Sequence, residues 1–278
     1  MRVLIFGATG MLGQDLVSAF AGDDVTGLSS KDADLRDANQ VLLAVQEARP
    51  DWIILSAAYA DVDGCEKDPV RALAVNRDGA VHVAQAAALT GSRLVFISSD
   101  YVFNGEKLSP YEVEDPRDPI NVYGRSKAEA ETRLLEILPN CWIVRTSWLF
   151  GTGGKCFPDT MLKLAKNQPE LRVVDDQHGS PTYTVDLADA VVRLTRKEAR
   201  GIVHATNSGS CSWFEFARAI LAAGSPQTKV VPVTTAEFPR PARRPAYSVL
   251  SGRSLKKFGI ELPDWQDALT RYLRQRRD

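Results

Sequence analysis

The sequence predicts an α/β protein: a doubly wound parallel sheet followed by a smaller C-terminal lobe. Three observations predict it. Short apolar runs of strand length alternate with helix-length segments from residue 2 to residue 145. A glycine-rich turn, Gly7-Ala-Thr-Gly10-Met-Leu-Gly13, closes the first of these runs and opens the next helical segment. Beyond residue 150 the texture changes, and prolines at 158, 169, 181, 226, 232, 239, 241 and 245 punctuate shorter elements.

Residues 2–6 form a continuously apolar run ending at glycine, the pattern of a strand buried on both faces. A helical pattern follows over 11–20, and a second strand over 25–28. Residues 38–49 read as a helix and 52–57 as a strand. The alanine-rich stretch 70–90 reads as one long helix, with the next strand at 93–97. Residues 123–138 are helical by spacing, and 141–145 again have strand character. Strict alternation requires parallel strands joined by helical crossovers, which cover both sheet faces. In such sheets ligands bind at the carboxyl ends of the strands, where Gly7 and Ser98-Ser99 both fall. The segments 185–195 and 201–204 are expected to return to the sheet. This divides the chain into a dinucleotide-binding domain (1–151 and 185–207) and a substrate-binding lobe (152–184 and 208–278).

Composition excludes several classes. Hydrophobic residues make up 44% and charged residues 25%, and the net charge is −1, so no basic field for nucleic acid exists. No apolar run approaches the roughly 20 residues that span a bilayer, so no membrane partner is expected. The chain enters a strand within two residues, so no signal peptide is expected. Cys65, Cys141, Cys156 and Cys211 are scattered without a CxxC pair, and are expected to be reduced thiols of a cytoplasmic protein. His82, His178 and His204 do not cluster, so no metal is expected.

The strand–turn–helix context of the glycines is that of a Rossmann-type dinucleotide site. Gly7 allows the tight turn, Gly10 lets a pyrophosphate approach the backbone, and Gly13 lets the helix pack on the strand. Met11 and Leu12 complete the turn. The second strand ends Gly27-Leu28-Ser29-Ser30-Lys31 with no carboxylate at its tip, and Ser30 and Lys31 would accept a 2′-phosphate. NADPH is therefore expected over NADH, with NADH still admissible. Asp34, beside Leu35, could bind the adenine amine or a ribose.

Tyr123 and Lys127 lie four apart on a helix and share a face. A tyrosine with an ordinary pKa of about 10 matches neutral pH poorly, and a neighbouring ammonium would lower it. Ser99, at a strand end, could donate to a substrate carbonyl as charge develops there. Arg240, Arg243 and Arg244 lie in the proline-rich loop 238–245 and could clamp a diphosphate; a solvated or ion-paired loop is the alternative. Trp148 could stack on a sugar or base, or be a core residue.

These motifs together resemble the dTDP-4-dehydrorhamnose reductase family of extended short-chain dehydrogenases/reductases. The resembling strings are Gly7-Ala-Thr-Gly10, Ser98-Ser-Asp-Tyr-Val-Phe103, Asn121-Val-Tyr-Gly124 with Lys127, and Arg145-Thr-Ser-Trp148. They continue with Phe157 to Leu162, Asp176-Gln-His-Gly-Ser-Pro-Thr182, Ala242-Arg-Arg-Pro245 and Leu262-Pro-Asp-Trp265. The resemblance implies reduction of the 4-keto group of a nucleotide-sugar substrate, dTDP-4-dehydro-L-rhamnose. It implies Tyr123 as general acid, Lys127 as its activator and ribose ligand, and Ser99 as the carbonyl-binding hydroxyl, where relatives most often carry threonine. It implies sugar-nucleotide contacts at Asp100, Trp148 and Arg243, and a cofactor contact along Ala57, Ala58, Tyr59 and Ala60, where relatives often carry histidine and threonine. Some relatives form a magnesium-linked homodimer. Gln14 and Asp15 stand where those enzymes carry an aromatic residue and glutamate, so a homodimer stays open and the metal is not carried over. Two other readings stay open. One is a cofactor-binding regulatory subunit similar to the non-catalytic β subunit of methionine adenosyltransferase. The other is a sugar-nucleotide epimerase or dehydratase.

Overall fold

A computed structural model describes residues 1–276. The large domain is built in chain order from β1 (Arg2–Phe6), α1 (Met11–Ala19), β2 (Asp24–Leu28), α2 (Ala38–Ala48) and β3 (Trp52–Leu55). Short helices α3 (Val62–Lys67) and α4 (Pro69–Leu73) follow, then α5 (Gly79–Thr90), β4 (Arg93–Ser99), α6 (Val122–Ile137) and β5 (Trp142–Thr146). After β6 (Leu149–Phe150), α7 (Phe157–Ala165), β7 (Glu170–Val174), β8 (His178–Gly179) and β9 (Thr182–Tyr183), the chain returns through α8 (Thr184–Thr195) and β10 (Gly201–His204). It ends with β11 (Cys211–Ser212), α9 (Trp213–Gly224), β12 (Lys229–Val233), α10 (Arg253–Lys256) and α11 (Trp265–Gln275).

Six strands form one sheet in the order β10-β5-β4-β3-β1-β2, and every pairing in it is parallel. The winding reverses between β1 and β3, so a crevice opens at their carboxyl ends. One face of the sheet packs Val3, Ile5, Val95, Ile97 and Val144 under Leu12 and Leu16 of α1 and Leu187 and Val191 of α8. The other packs Leu4, Phe6, Phe96 and Ile143 under α2, α5 and α6. Leu255, Ile260 and Leu262, from the C-terminal segment, also join the first core. The smaller lobe has its own core of Phe150, Met161, Leu162, Phe216, Trp265 and Tyr272.

The expected single helix over 70–90 is interrupted. Asp68 caps α4, with Pro69 in its first turn, and Ala74–Asp78 widens into a π-helical turn before α5 resumes. The widened turn carries Asn76, which is buried. Its amide accepts from the Tyr59 N–H at 2.7 Å and donates to the Tyr59 carbonyl at 3.1 Å and to Ser126 Oγ at 3.0 Å. A buried amide with three partners fixes the local winding where propensity alone would favour an unbroken helix. The third strand stops at Leu55, and Ser56 and Ala57 turn to donate to the Phe6 carbonyl. The fourth continues to Ser99, which places its last hydroxyl within the sheet rather than beyond it.

Candidate active site

The glycine turn fits a dinucleotide by exclusion of side chains. Gly7 has φ +88°, a left-handed conformation, and a Cβ there would overlap the Ala57 backbone. A Cβ on Gly13 would collide with the Gly7 carbonyl oxygen. Gly10 is the N-cap of α1 and brings no capping side chain, and no acidic residue occupies the first turn. The free N–H groups and the helix dipole therefore face an open cleft. A cavity of ≈ 620 Å³ runs from this turn past Ala57 and Ala58 to Ser99, Asp100, Tyr123, Lys127 and Trp148. A second cavity of ≈ 340 Å³ adjoins it at Gly7, and is lined by Ser30, Asp34, Leu35, Ala57, Ala58, Tyr59 and Arg71.

At the outer end several expectations change. Lys31 is exposed and lines neither cavity. The tip of β2 does carry a carboxylate: Asp32 folds back and accepts from Ser29 N at 2.8 Å and Ser29 Oγ at 2.6 Å. Asp34 lines the second cavity, yet its carboxylate is taken by Arg36, with Arg36 Nη2 at 2.6 Å and the Arg36 N–H at 2.9 Å. That hydrogen bonding holds the Asp34 carboxyl down at about 2. Both carboxylates are thus engaged by this chain's own donors. Arg71, with its guanidinium 4.5 Å from the Tyr59 ring centroid, borders the cavity unforeseen.

The inner end brings Ser99, Tyr123 and Lys127 together. Ser99 Oγ donates to Asp100 Oδ1 at 2.9 Å, and the Ser99 hydroxyl also stands against the Tyr123 phenol. Lys127 is 2% exposed, with Nζ 4.1 Å from the Phe96 ring centroid. Burial pulls its ammonium down to about 7, opposed by the charge of Glu131 one turn further along α6. Burial also pushes Asp100 up to about 7. The expectation that Lys127 lowers the Tyr123 pKa is not met in this cleft. Burial, and next the Asp100 charge, raise the phenol above its ordinary value, because they bear on it more strongly than an ammonium one helical turn away. Like an ordinary tyrosine, the phenol is protonated at neutral pH, the form a proton donor needs.

A buried ionic group lies directly behind the site. Glu131 accepts from Arg145 Nη2 at 2.7 Å, Arg145 Nε at 2.9 Å, Arg117 Nη1 at 3.3 Å and Ser98 Oγ at 2.6 Å. It ties α6 to the ends of β4 and β5.

The substrate side departs from expectation in two places. Trp148 adopts φ +47°, a left-handed conformation rare for a bulky residue. The twist lays its indole on Trp213, with centroids 3.5 Å apart and planes at 7°, while Gly179 leaves room beside the ring. That face is therefore closed to a sugar or base. The three-arginine clamp does not assemble. Arg240 Nη2 pairs with Asp63 Oδ2 at 2.7 Å and Arg244 Nη2 with Asp63 Oδ1 at 3.0 Å, so both are spent on latching the loop to α3. Arg243 is exposed, and its carbonyl accepts from Asn121 Nδ2 at 2.9 Å. None of the three lines the cleft. Asp63, Asn76 and Glu131 escaped the sequence reading because each acts through a distant partner. For Glu131 a signal existed, a carboxylate four residues after Lys127 on one helix face.

A doubly wound sheet, a glycine turn after β1 and a tyrosine–lysine pair on α6 define the extended short-chain dehydrogenase/reductase class. Within that class, the family model described as RmlD substrate binding domain matches residues 1–277, and the chain belongs to that family. It is 44% identical to the spore coat polysaccharide biosynthesis protein SpsK of Bacillus subtilis over 277 residues, 99% of this chain and 98% of that one. It is 39% identical to the dTDP-4-dehydrorhamnose reductase of Burkholderia thailandensis, covering 97% of each chain. Among solved structures, a dTDP-4-dehydrorhamnose reductase of Clostridium acetobutylicum aligns with TM-score 0.98 at 38% identity, covering 100% of both chains. The Bacillus anthracis dTDP-4-dehydrorhamnose reductase in complex with NADP aligns with TM-score 0.95 at 41% identity, covering 99% of both.

Proposed function

We propose that this chain reduces the 4-keto group of dTDP-4-dehydro-L-rhamnose to give dTDP-L-rhamnose, with NADPH as reductant, in the supply of activated sugar for surface polysaccharide. One observation carries the reading. The Ser99, Tyr123 and Lys127 side chains line the same cleft as the glycine turn, in a chain alike over its full length to proteins named for this reaction.

The bound nicotinamide would supply the hydride. The protein's own part is proton transfer and positioning. Tyr123 donates its phenolic proton to the C4 oxygen as that oxygen gains charge. The single Ser99 hydroxyl proton, accepted by Asp100 Oδ1 in the unliganded cleft, would turn to the same oxygen as a second hydrogen bond when substrate binds. Lys127, one turn further along α6 and lining the same cleft, would hold the nicotinamide ribose. Gly7, Gly10, Met11, Leu12 and Gly13 hold the pyrophosphate at the start of α1. The adenosine end occupies the cavity of Ser30, Leu35, Ala57, Ala58 and Tyr59. With Asp32 and Asp34 already engaged and Arg36 and Arg71 at its rim, that cavity suits a 2′-phosphate better than a bare ribose. Asp100 and the exposed Arg243 are the proposed sugar-nucleotide contacts, with Trp148 as a wall of the cleft. We place the enzyme in the cytoplasm; the four cysteines are buried thiols, and no described helix is long and apolar enough to cross a membrane.

Supplying the keto-sugar nucleotide with NADPH or NADH, following absorbance loss and identifying the product by NMR tests the reading. Stoichiometric NADPH consumption with a dTDP-L-rhamnose product is expected. An unchanged dinucleotide pool with an epimerised sugar would point to an epimerase instead. Tyr123→Phe should lower kcat by orders of magnitude and leave NADP binding near wild type. Wild-type turnover in that variant would remove Tyr123 from its role.

A further inference from the structure

Thr146 is the last residue of β5 and 4% exposed, and its Oγ1 is buried without a hydrogen-bond partner. A buried hydroxyl left unpaired is costly, and native proteins rarely keep one without a use. Thr146 also lines the catalytic cleft.

The sheet register says what would meet it. Ser98 pairs with Arg145 and Ser99 with Thr146 on the neighbouring parallel strands. Side chains alternate along a strand. Ser98 and Arg145 turn to the α6 side, where both reach Glu131. Ser99 and Thr146 therefore start from the opposite face, in line with Ile97 and Val144, whose core lies under α1 and α8. The N-terminus of α1 is the pyrophosphate turn. A dinucleotide anchored there, with its reactive ring beside Ser99 and Tyr123, must pass over Thr146. On the functional reading above, the sugar nucleotide takes the end of the cleft lined by Asp100, Tyr101 and Trp148.

We propose that the Thr146 hydroxyl hydrogen-bonds the carboxamide of the bound nicotinamide and so sets which face of the ring meets the substrate. A hydroxyl suits this group because it can donate to the amide oxygen or accept from the amide nitrogen. The inference rests on the dinucleotide reading above and adds a cofactor-orienting residue to it.

The test is binding, measured by calorimetry on the full chain with NADP⁺, with 2′-phospho-ADP-ribose, which lacks only the nicotinamide, and with dTDP-L-rhamnose. Thr146→Val keeps the shape and removes the hydroxyl, and Thr146→Ser keeps the hydroxyl. Thr146→Val is expected to weaken NADP⁺ about tenfold, with the fragment and the sugar nucleotide bound as in wild type and Thr146→Ser close to wild type. The melting temperature of the unliganded Thr146→Val chain should not fall, since no existing hydrogen bond is lost. Equal losses for NADP⁺ and the fragment would overturn the proposal, as would a loss confined to dTDP-L-rhamnose, which would assign the hydroxyl to the sugar. Unchanged NADP⁺ binding in Thr146→Val would overturn this inference alone. A wild-type chain that bound neither NADP⁺ nor the fragment would overturn the dinucleotide reading with it.

Discussion

Lys127 and Asp100 exchange charge within the same pH range. Burial brings the ammonium down to about 7 and the carboxyl up to about 7. Below neutrality the lysine is charged and the aspartate neutral; above it the reverse holds. An ionised carboxylate is the stronger acceptor for sugar hydroxyls. Affinity for dTDP-L-rhamnose should therefore rise as pH climbs through about 7, and Asp100→Asn should flatten that rise in calorimetric titrations. An equally steep profile in the variant would remove Asp100 from sugar binding. The tyrosine, lysine and serine were legible in the sequence because their chemistry is carried by local spacing. Their ionisation was not. It depends on burial and on Asp100, and the raised Tyr123 phenol reverses what the four-residue spacing alone suggested.

Strands β4 and β5 and helix α6 meet at Glu131. Its carboxylate is fully buried, and Arg145 opposite is 1% exposed. Removing one charge strands the other, at a cost of about 3–5 kcal/mol. Glu131→Gln should lower stability by that order in urea unfolding, and adding Arg145→Met should recover part of it, since a buried ion pair replaced by apolar atoms can be nearly neutral. A loss below about 1 kcal/mol would show the cluster to be solvated. The boundary at Phe6–Gly7 was legible because an apolar run met a glycine, whereas the Asn121 side chain that caps α6 was not read from the sequence. The course of the helix over 70–90 was not legible either, because alanine-rich propensity hides a break imposed by Asn76 holding the Tyr59 backbone 17 residues away. Of the two readings of the arginine loop, the ion-paired one holds for Arg240 and Arg244; the charge is visible in a sequence, and the partner that claims it, Asp63, is not.

The C-terminal segment is joined to the large sheet both by Leu255, Ile260 and Leu262 in a shared core and by long-range polar contacts. Asp63 receives Arg240 and Arg244, and Asn121 holds the Arg243 carbonyl, so the C-terminal loop is fastened to α3 and to the start of α6. His204, at the end of edge strand β10, reports on global folding. Burial, and then the Arg145 charge, hold its pKa at about 3. Between the usual 6.5 and about 3, the unfolded chain binds a proton that the folded chain refuses. Stability should thus fall with acidification across that window, by up to about 1.4 kcal/mol per pH unit. His204→Gln should shed that slope in pH-dependent denaturation, and an identical slope would locate the acid sensitivity elsewhere. The overall architecture was legible because alternating strands and helices admit few topologies. The closure between lobes was not, since it is written in single side chains. One such pair doubles as an optical gauge. Trp148 leaves the large sheet and Trp213 opens α9 of the smaller lobe, and their indoles lie nearly parallel. Transition dipoles that close mix into an exciton couplet in ultraviolet circular dichroism. Its amplitude depends on both the spacing and the mutual twist of the two indoles, so a change on adding a reactant would report, without any label, a shift of one indole against the other.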